Sequence, residues 1–295
     1  MKMKRNSILL LSLCMGVACA LAFNSAARAD EIIYGNNASY GPDTVSQIDI
    51  TTGTVTANID VSPGNGRGVV QVGNILYTTT ASSNIVYKYN LTTSTSSTAF
   101  TVSGSSGLST ISYDGTNFWI GDYSGTNNVY EYSPTGTLLK TISLSQCTGY
   151  CDGVGYLAAN GGEIISNEFD GYYANSQYDI YDLNGTLKQS DFINSASGCT
   201  GSAGSTGLAF DGTDYFVSCI NDSALAEYSG AGAFIKDIAF TGDNSNAGAQ
   251  VEGISANYAE VLNPSPVPEP WTLFMVGTGL AAMVAEMRRR LAHQS

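Results

Sequence analysis

Between about residues 30 and 263 the chain is a succession of short apolar or alternating runs, each ended by a turn signal such as Asp-Gly, Asn-Gly or Thr-Gly. Alternation of this kind over five to eight residues reads as half-buried strands joined by tight turns. One step recurs: an x-Gly pair opens an apolar strand that runs into a turn. It occurs at Arg67-Gly68, Ser106-Gly107, Asp152-Gly153, Thr206-Gly207 and Glu252-Gly253, the glycines lying 39, 46, 54 and 46 residues apart. A second strand follows, from Ile75, Phe118, Glu163 or Tyr215, and then a third, alternating one from Ile85, Val129, Tyr178 or Ala224. A tight turn and a fourth strand close the last three units, where Lys140, Lys188 and Lys236 recur 48 residues apart.

Four antiparallel strands every 40 to 50 residues are the signature of a β-propeller blade. The two ends of this region complete the count. Ile32 to Asn36, Val45 to Ile50 and Val55 to Val61 are three strands without an innermost partner, and Val251 to Val261 offers one innermost strand without the other three. Paired, they make a fifth blade and close the ring, which removes its open edges. The expected fold is all-β, with five four-stranded blades closed by the N- and C-terminal strands. Irregular stretches at residues 36–43 and 199–207 leave room for a sixth blade, and a two-sheet sandwich is the competing architecture.

Both termini break the pattern. Lys2, Lys4 and Arg5 precede an apolar run from Ile8 to Phe23, and Ala27-Arg28-Ala29 follows. This order is that of a secretory signal helix cleaved before Asp30; a lipoprotein reading of Cys19 fits poorly with Gly16-Val17-Ala18 before it. At the other end Pro268-Glu269-Pro270 precedes an apolar stretch from Trp271 to Ala285, then Glu286-Met287 and Arg288-Arg289-Arg290. Fifteen residues make a helix of about 22 Å, short of a hydrocarbon core of about 30 Å, so hydropathy alone does not decide for a membrane span. Position and the closing arginines do favour a transmembrane helix over about residues 271–287.

Pro268, Glu269 and Pro270, the apolar helix and Arg288, Arg289 and Arg290 together resemble the PEP-CTERM sorting signal of Gram-negative bacteria. The resemblance covers about the last 29 residues. It implies recognition by an exosortase, a membrane-embedded cysteine transpeptidase-like enzyme, and removal of the helix. It implies a chain exported by the Sec machinery across the inner membrane, held transiently in that membrane, then left on the cell surface or in extracellular polysaccharide. A plain C-terminal anchor is the alternative. The expected organisation is a signal peptide over 1–29, the propeller over 30–263 and the sorting tail over 264–295.

Setting the ends aside sharpens the charge. The whole chain carries −13, but the body holds 23 acidic residues against Arg67, Lys88, Lys140, Lys188 and Lys236, which leaves it at −18. Such a field repels phosphate backbones and excludes nucleic acid as a partner. Four of the six cysteines lie in the body, and an even number in an exported chain reads as two disulfides. Three pairings of Cys147, Cys151, Cys199 and Cys219 are open; their places in the blades favour Cys147 with Cys151 and Cys199 with Cys219. A C-x-x-x-C without a nearby histidine is no zinc site.

Blade geometry gathers a candidate ligand face. The loops between second and third strands bring Asp122, Tyr123, Glu168, Asp170, Tyr172, Tyr173, Asn221 and Asp222 to one side, and the x-Gly positions Arg67, Ser106, Asp152, Thr206 and Glu252 ring the channel mouth there. Tyrosines that stack on sugar rings and carboxylates that bind hydroxyls or calcium would make this a binding surface; ordinary polar loops are the plainer alternative. Asp114-Gly115-Thr116-Asn117 and Asp211-Gly212-Thr213-Asp214 look calcium-like but stand at matched turn positions, so they are read as turns. The single histidine, His293, lies in the tail, so the body has no imidazole for a triad or a zinc or iron site. What survives is paired-carboxylate chemistry, as in glycoside hydrolysis. Propeller lyases and lactonases built around a channel calcium resemble the Asp152–Glu252 pair loosely. Three functions therefore stand: a non-catalytic module associated with exopolysaccharide, a calcium-dependent carbohydrate-active or lactonase-type enzyme, and a structural spacer.

Overall fold

The structure is a computed structural model and describes residues 32–38, 42–63, 65–147, 151–167, 177–194, 198–199, 205–220, 222–241 and 250–257. The segment expected to be a signal peptide and all residues from 258 on, with the Pro-Glu-Pro motif and triple arginine, lie outside the described residues.

Five four-stranded antiparallel sheets form a five-bladed β-propeller. Blade 1 is β4 (Gly66–Val72), β5 (Ile75–Thr80), β6 (Ser83–Asn90) and β7 (Thr95–Thr101). Blade 2 is β8 (Leu108–Tyr113), β9 (Phe118–Asp122), β10 (Asn128–Tyr132) and β11 (Leu138–Ser143). Blade 3 is β12 (Val154–Leu157), β13 (Glu163–Asn167), β14 (Gln177–Asp182) and β15 (Leu187–Asn194). Blade 4 is β16 (Ser205–Phe210), β17 (Asp214–Cys219), β18 (Ala224–Ser229) and β19 (Phe234–Ala239). Blade 5 joins the ends as expected: β20 (Val251–Ser255) lies innermost, beside β1 (Ile32–Asn37), β2 (Pro42–Asp49) and β3 (Thr54–Pro63). The sequence pattern had no fourth strand for blade 1; β7 is that strand, a Ser/Thr-rich segment too polar to stand out.

The inner strands β4, β8, β12, β16 and β20 contact one another in a closed cycle. Each of the five blade junctions has its own apolar cluster, such as Ile33, Phe216, Leu225 and Ile254 between blades 4 and 5, or Trp119, Ile142, Val154 and Tyr181 between blades 2 and 3. Burying one such side chain contributes about 1.5–3 kcal/mol, so cohesion is distributed around the ring. Glycine is required where inner strands meet. A Cβ on Gly153, Gly207 or Gly253 would fall inside contact distance of the carbonyl of Thr206, Glu252 or Arg67 in the next blade.

At the rim, ladder irregularities at Val86/Tyr87, Glu131/Tyr132 and Glu227/Tyr228 kink the outermost strand pairs and blunt their free edges. The closing strand is also fastened past its end: Asn257 bridges to Gln71 of β4, its Oδ1 accepts from Gly73 N (3.2 Å), and Ser255 Oγ accepts from Gln71 N (2.9 Å).

Candidate functional site

Each blade junction near the channel mouth is crossed by at least one polar side chain that donates to a main-chain carbonyl of the next blade. Asn36 Nδ2 donates to Gly68 O at 2.9 Å, Asn167 Nδ2 to Ser205 O at 3.2 Å and Ser218 Oγ to Glu252 O at 2.5 Å; Thr79 Oγ1 donates to Ser109 O. In blade 2 the corresponding second-strand position is Gly121, where a Cβ would press on Cys151 O. There Ser109, from the inner strand itself, supplies the donor, to Asp152 Oδ1 at 2.6 Å and Asp152 O at 3.4 Å.

This pattern corrects one expectation. The mouth position of blade 2 is held by Ser109-Thr110, both buried, and not by Ser106-Gly107, whose serine is exposed. The ladder irregularity that brackets Arg67-Gly68 and Thr206-Gly207 brackets Ser109-Thr110 in blade 2. The mouth positions are then 67, 109, 152, 206 and 252, at intervals of 42, 43, 54 and 46 residues.

Three of those positions carry charge. Arg67 forms an ion pair with Glu252 across the junction of β4 and β20, their side chains 11% and 8% exposed. Its Nη2 donates to Tyr123 OH at 2.9 Å, and its guanidinium carbon lies 4.4 Å from the Tyr123 ring centroid, a cation–π contact. Asp152, on the loop before β12, is buried and electrostatically coupled to both Arg67 and Glu252. Asn167 Oδ1 accepts from the main-chain N–H of Asp152 (2.9 Å) and Gly153 (2.7 Å), which fixes that loop. Residues from blades 1, 2, 3 and 5 thus converge.

One guanidinium faces two carboxylates in a dry setting, and the pKa values follow. Burial, then repulsion from Asp152, pushes Glu252 up to about 8 against the pull of Arg67. Burial likewise raises Asp152, with Arg67 and the Ser109 hydroxyl opposing it. Burial works against the Arg67 charge, but Glu252 and Asp152 more than offset it and push its pKa up. The three groups titrate as a coupled set, with Glu252 brought close to exchanging its proton near neutral pH. Calcium does not fit this arrangement: it wants six to eight oxygen ligands, whereas Arg67 already occupies the cationic place beside Glu252. Among the described residues no group of three His, Cys, Asp or Glu is placed to hold a metal ion.

The rest of the predicted face divides. Asp122 is fully buried and accepts from Ser105 Oγ, Thr126 Oγ1, Ser124 Oγ (2.7 Å) and Ser124 N (3.1 Å). Burial alone would raise its pKa, but those donors hold the carboxyl below its usual range. It anchors a loop. Asp222 is half-buried at a turn in which its N–H donates to Cys219 O at 3.1 Å. Glu168, Asp170, Tyr172, Tyr173 and Asn221 lie outside the described residues. The two Asp-Gly-Thr segments are Asx turns, Asp114 Oδ1 accepting from Thr116 N (2.8 Å) and Asp211 Oδ1 from Thr213 N (2.8 Å).

The disulfides pair Cys147 with Cys151 and Cys199 with Cys219. The first closes a five-residue loop immediately before Asp152; the second ties the approach to β16 onto the end of β17.

No family model and no curated protein matches the sequence. Among solved structures, a chain of a nidogen/laminin complex aligns over 76% of this chain and 97% of its own, at 10% identity and a TM-score of 0.53. The likeness is one of fold. A protein of unknown function from Bacteroides caccae (11% identity, 70% and 72% covered, TM-score 0.45) and the computationally designed Ika8 protein (16%, 77% and 62%, TM-score 0.37) align more loosely.

Proposed function

We propose that the chain is an exported surface or extracellular-matrix protein whose propeller is a non-catalytic binding or structural module associated with exopolysaccharide. In this reading the Sec machinery exports it, residues 1–29 are removed, and an exosortase recognises Pro268, Glu269 and Pro270 with Arg288, Arg289 and Arg290. The observation that carries the non-catalytic part is the channel mouth: Arg67 is engaged by Glu252 and Tyr123, so the charged groups satisfy one another across four blades. Two disulfides suit an oxidising compartment outside the cytoplasm. The test is retention on the host's purified exopolysaccharide and on a glycan array, together with the chain's location in cells with and without an active exosortase. Retention that depends on the propeller supports the proposal; none on any polysaccharide counts against it.

One observation favours a second reading, a carbohydrate-active or lactonase-type enzyme working by paired carboxylates. Glu252, pushed up to about 8 beside Asp152, is a proton donor poised near neutral pH. Its test is a glycosidase, lyase and lactonase screen with and without calcium. Turnover abolished by Glu252→Gln and Asp152→Asn would establish it, and no turnover in the parent removes it.

A further inference from the structure

The acceptor tripeptide for N-linked glycosylation, Asn-x-Ser/Thr with x other than proline, occurs at Asn37, Asn90, Asn184 and Asn221. Asn221 lies outside the described residues, and the other three differ sharply in what their side chains do. Asn37 is buried, and its Nδ2 donates to Ser46 Oγ at 3.1 Å. Asn90 is half-buried and folded back on its own turn, its Oδ1 accepting from Thr92 N (2.8 Å) and Thr93 N (3.0 Å). Asn184 is exposed at the tip of the β14–β15 hairpin. There Asp182 takes the turn-capping role, its Oδ1 accepting from Asn184 N (2.8 Å) and Thr186 N (2.9 Å). The Asn184 amide is thereby released from the turn. Its Oδ1 accepts from Lys140 Nζ of the neighbouring blade at 2.9 Å, so the amide is engaged through its oxygen.

The middle residue is set by the fold. Gly185 has φ +83°, and a Cβ there would press on Ser143 O of blade 2, so this tripeptide keeps a small, unobstructive centre. Thr186 is exposed, and β15 is an outermost strand with a ladder partner on one side only, the kind of element that frays into an enzyme's groove.

We propose that Asn184 is an N-glycan acceptor, taking an oligosaccharide from a polyprenyl-diphosphate-linked donor. The Asn184 Nδ2 bonds to C1 of the reducing-end sugar as the C1–O bond to the diphosphate breaks. The polyprenyl diphosphate leaves with that electron pair, and the amide gives up one proton. The proposal rests on the exported reading above, since such donors are used outside the cytoplasm.

The experiment has two arms. Chains recovered from the host are sequenced at the N-terminus, and the peptide containing Asn184 is weighed. Separately, the purified chain is incubated with a bacterial oligosaccharyltransferase and its lipid-linked oligosaccharide. The expected result in both arms is one oligosaccharide increment near one per chain on that peptide, lost in Asn184→Gln and Thr186→Val and kept in Thr186→Ser and Asn90→Gln. A bare Asn184 on chains that begin at Asp30 overturns the proposal while leaving export intact. So does an unmodified Asn184 under conditions that fully convert a synthetic Asp182–Thr186 peptide. Recovered chains that still carry residues 1–29 in the cytoplasm overturn the export reading instead, and the second arm then decides the acceptor by itself.

Discussion

Asp122 and Asp152 are both buried acids on the predicted ligand face, and their pKa values move in opposite directions. Asp122 is ringed by the hydroxyls of Ser105, Ser124 and Thr126 and an N–H, and stays charged. Asp152 has the Ser109 hydroxyl and a share of Arg67, and is pushed toward its neutral form. Burial pushes both upward, most strongly at Asp152, and the donors that oppose it are more numerous at Asp122. Asp122 thus belongs to loop architecture, while Asp152 belongs to a charge balance that spans blades.

The largest test of this contrast is Arg67→Met. Without the guanidinium, two buried carboxylates face each other, and breaking such a pair costs about 3–5 kcal/mol. Denaturant unfolding at pH 8 should show that loss, shrinking at pH 5 where Glu252, with its folded value of about 8, holds a proton. Equal losses at both pH values would break the contrast. Next is Asp122→Ala, which strands the surrounding hydroxyls and should cost about 1–3 kcal/mol. That stabilisation is present above the unfolded carboxylate value and is lost as pH falls through the lowered folded one.

A third test follows Glu252. Its folded value of about 8 lies above the ordinary 4.5, so its contribution is fully present below about pH 4.5 and is lost as pH rises through 8. Urea midpoints of the parent should fall across that window, with a slope of at most about 1.4 kcal/mol per pH unit for one proton. Glu252→Gln should flatten the fall; an unchanged slope assigns it to other groups. The smallest effect is expected for Ser109→Ala. Losing its hydrogen bonds to Asp152 should cost about 1 kcal/mol and raise the Asp152 pKa further, readable by NMR titration.

Much of the ring was legible in sequence because hydrophobic alternation and turn residues repeat with the blade. The closing pair of β20 and β1 followed from counting strands without partners. Blade 2 shows where legibility ends. Ser106-Gly107 imitates the recurring step, yet an irregularity between Leu108 and Ile111 moves the mouth position to Ser109, and such a slip leaves the alternation of apolar residues unaltered. The convergence of Arg67, Glu252 and Asp152 was visible as a ring of positions. The raised pKa values of Glu252 and Asp152 were not, because they depend on burial and on which donors reach each carboxylate. Nor did sequence tell Asp122 from Asp152, since Ser105, Ser124 and Thr126 are ordinary loop residues until folding aims them.

The fastening of β20 has a mechanical consequence. Any tension applied to the chain beyond Asn257 enters the propeller through its innermost strand. There it meets the ladder to β1, the Asn257 and Ser255 bonds to blade 1, and the Arg67–Glu252 pair. A tug is therefore shared between two blades at once and opposed by side-chain bonds as well as by the strand ladder. The strand that completes the ring is where such a load would enter, so a protein held by its C-terminal end would carry it at the hub and spare the rim.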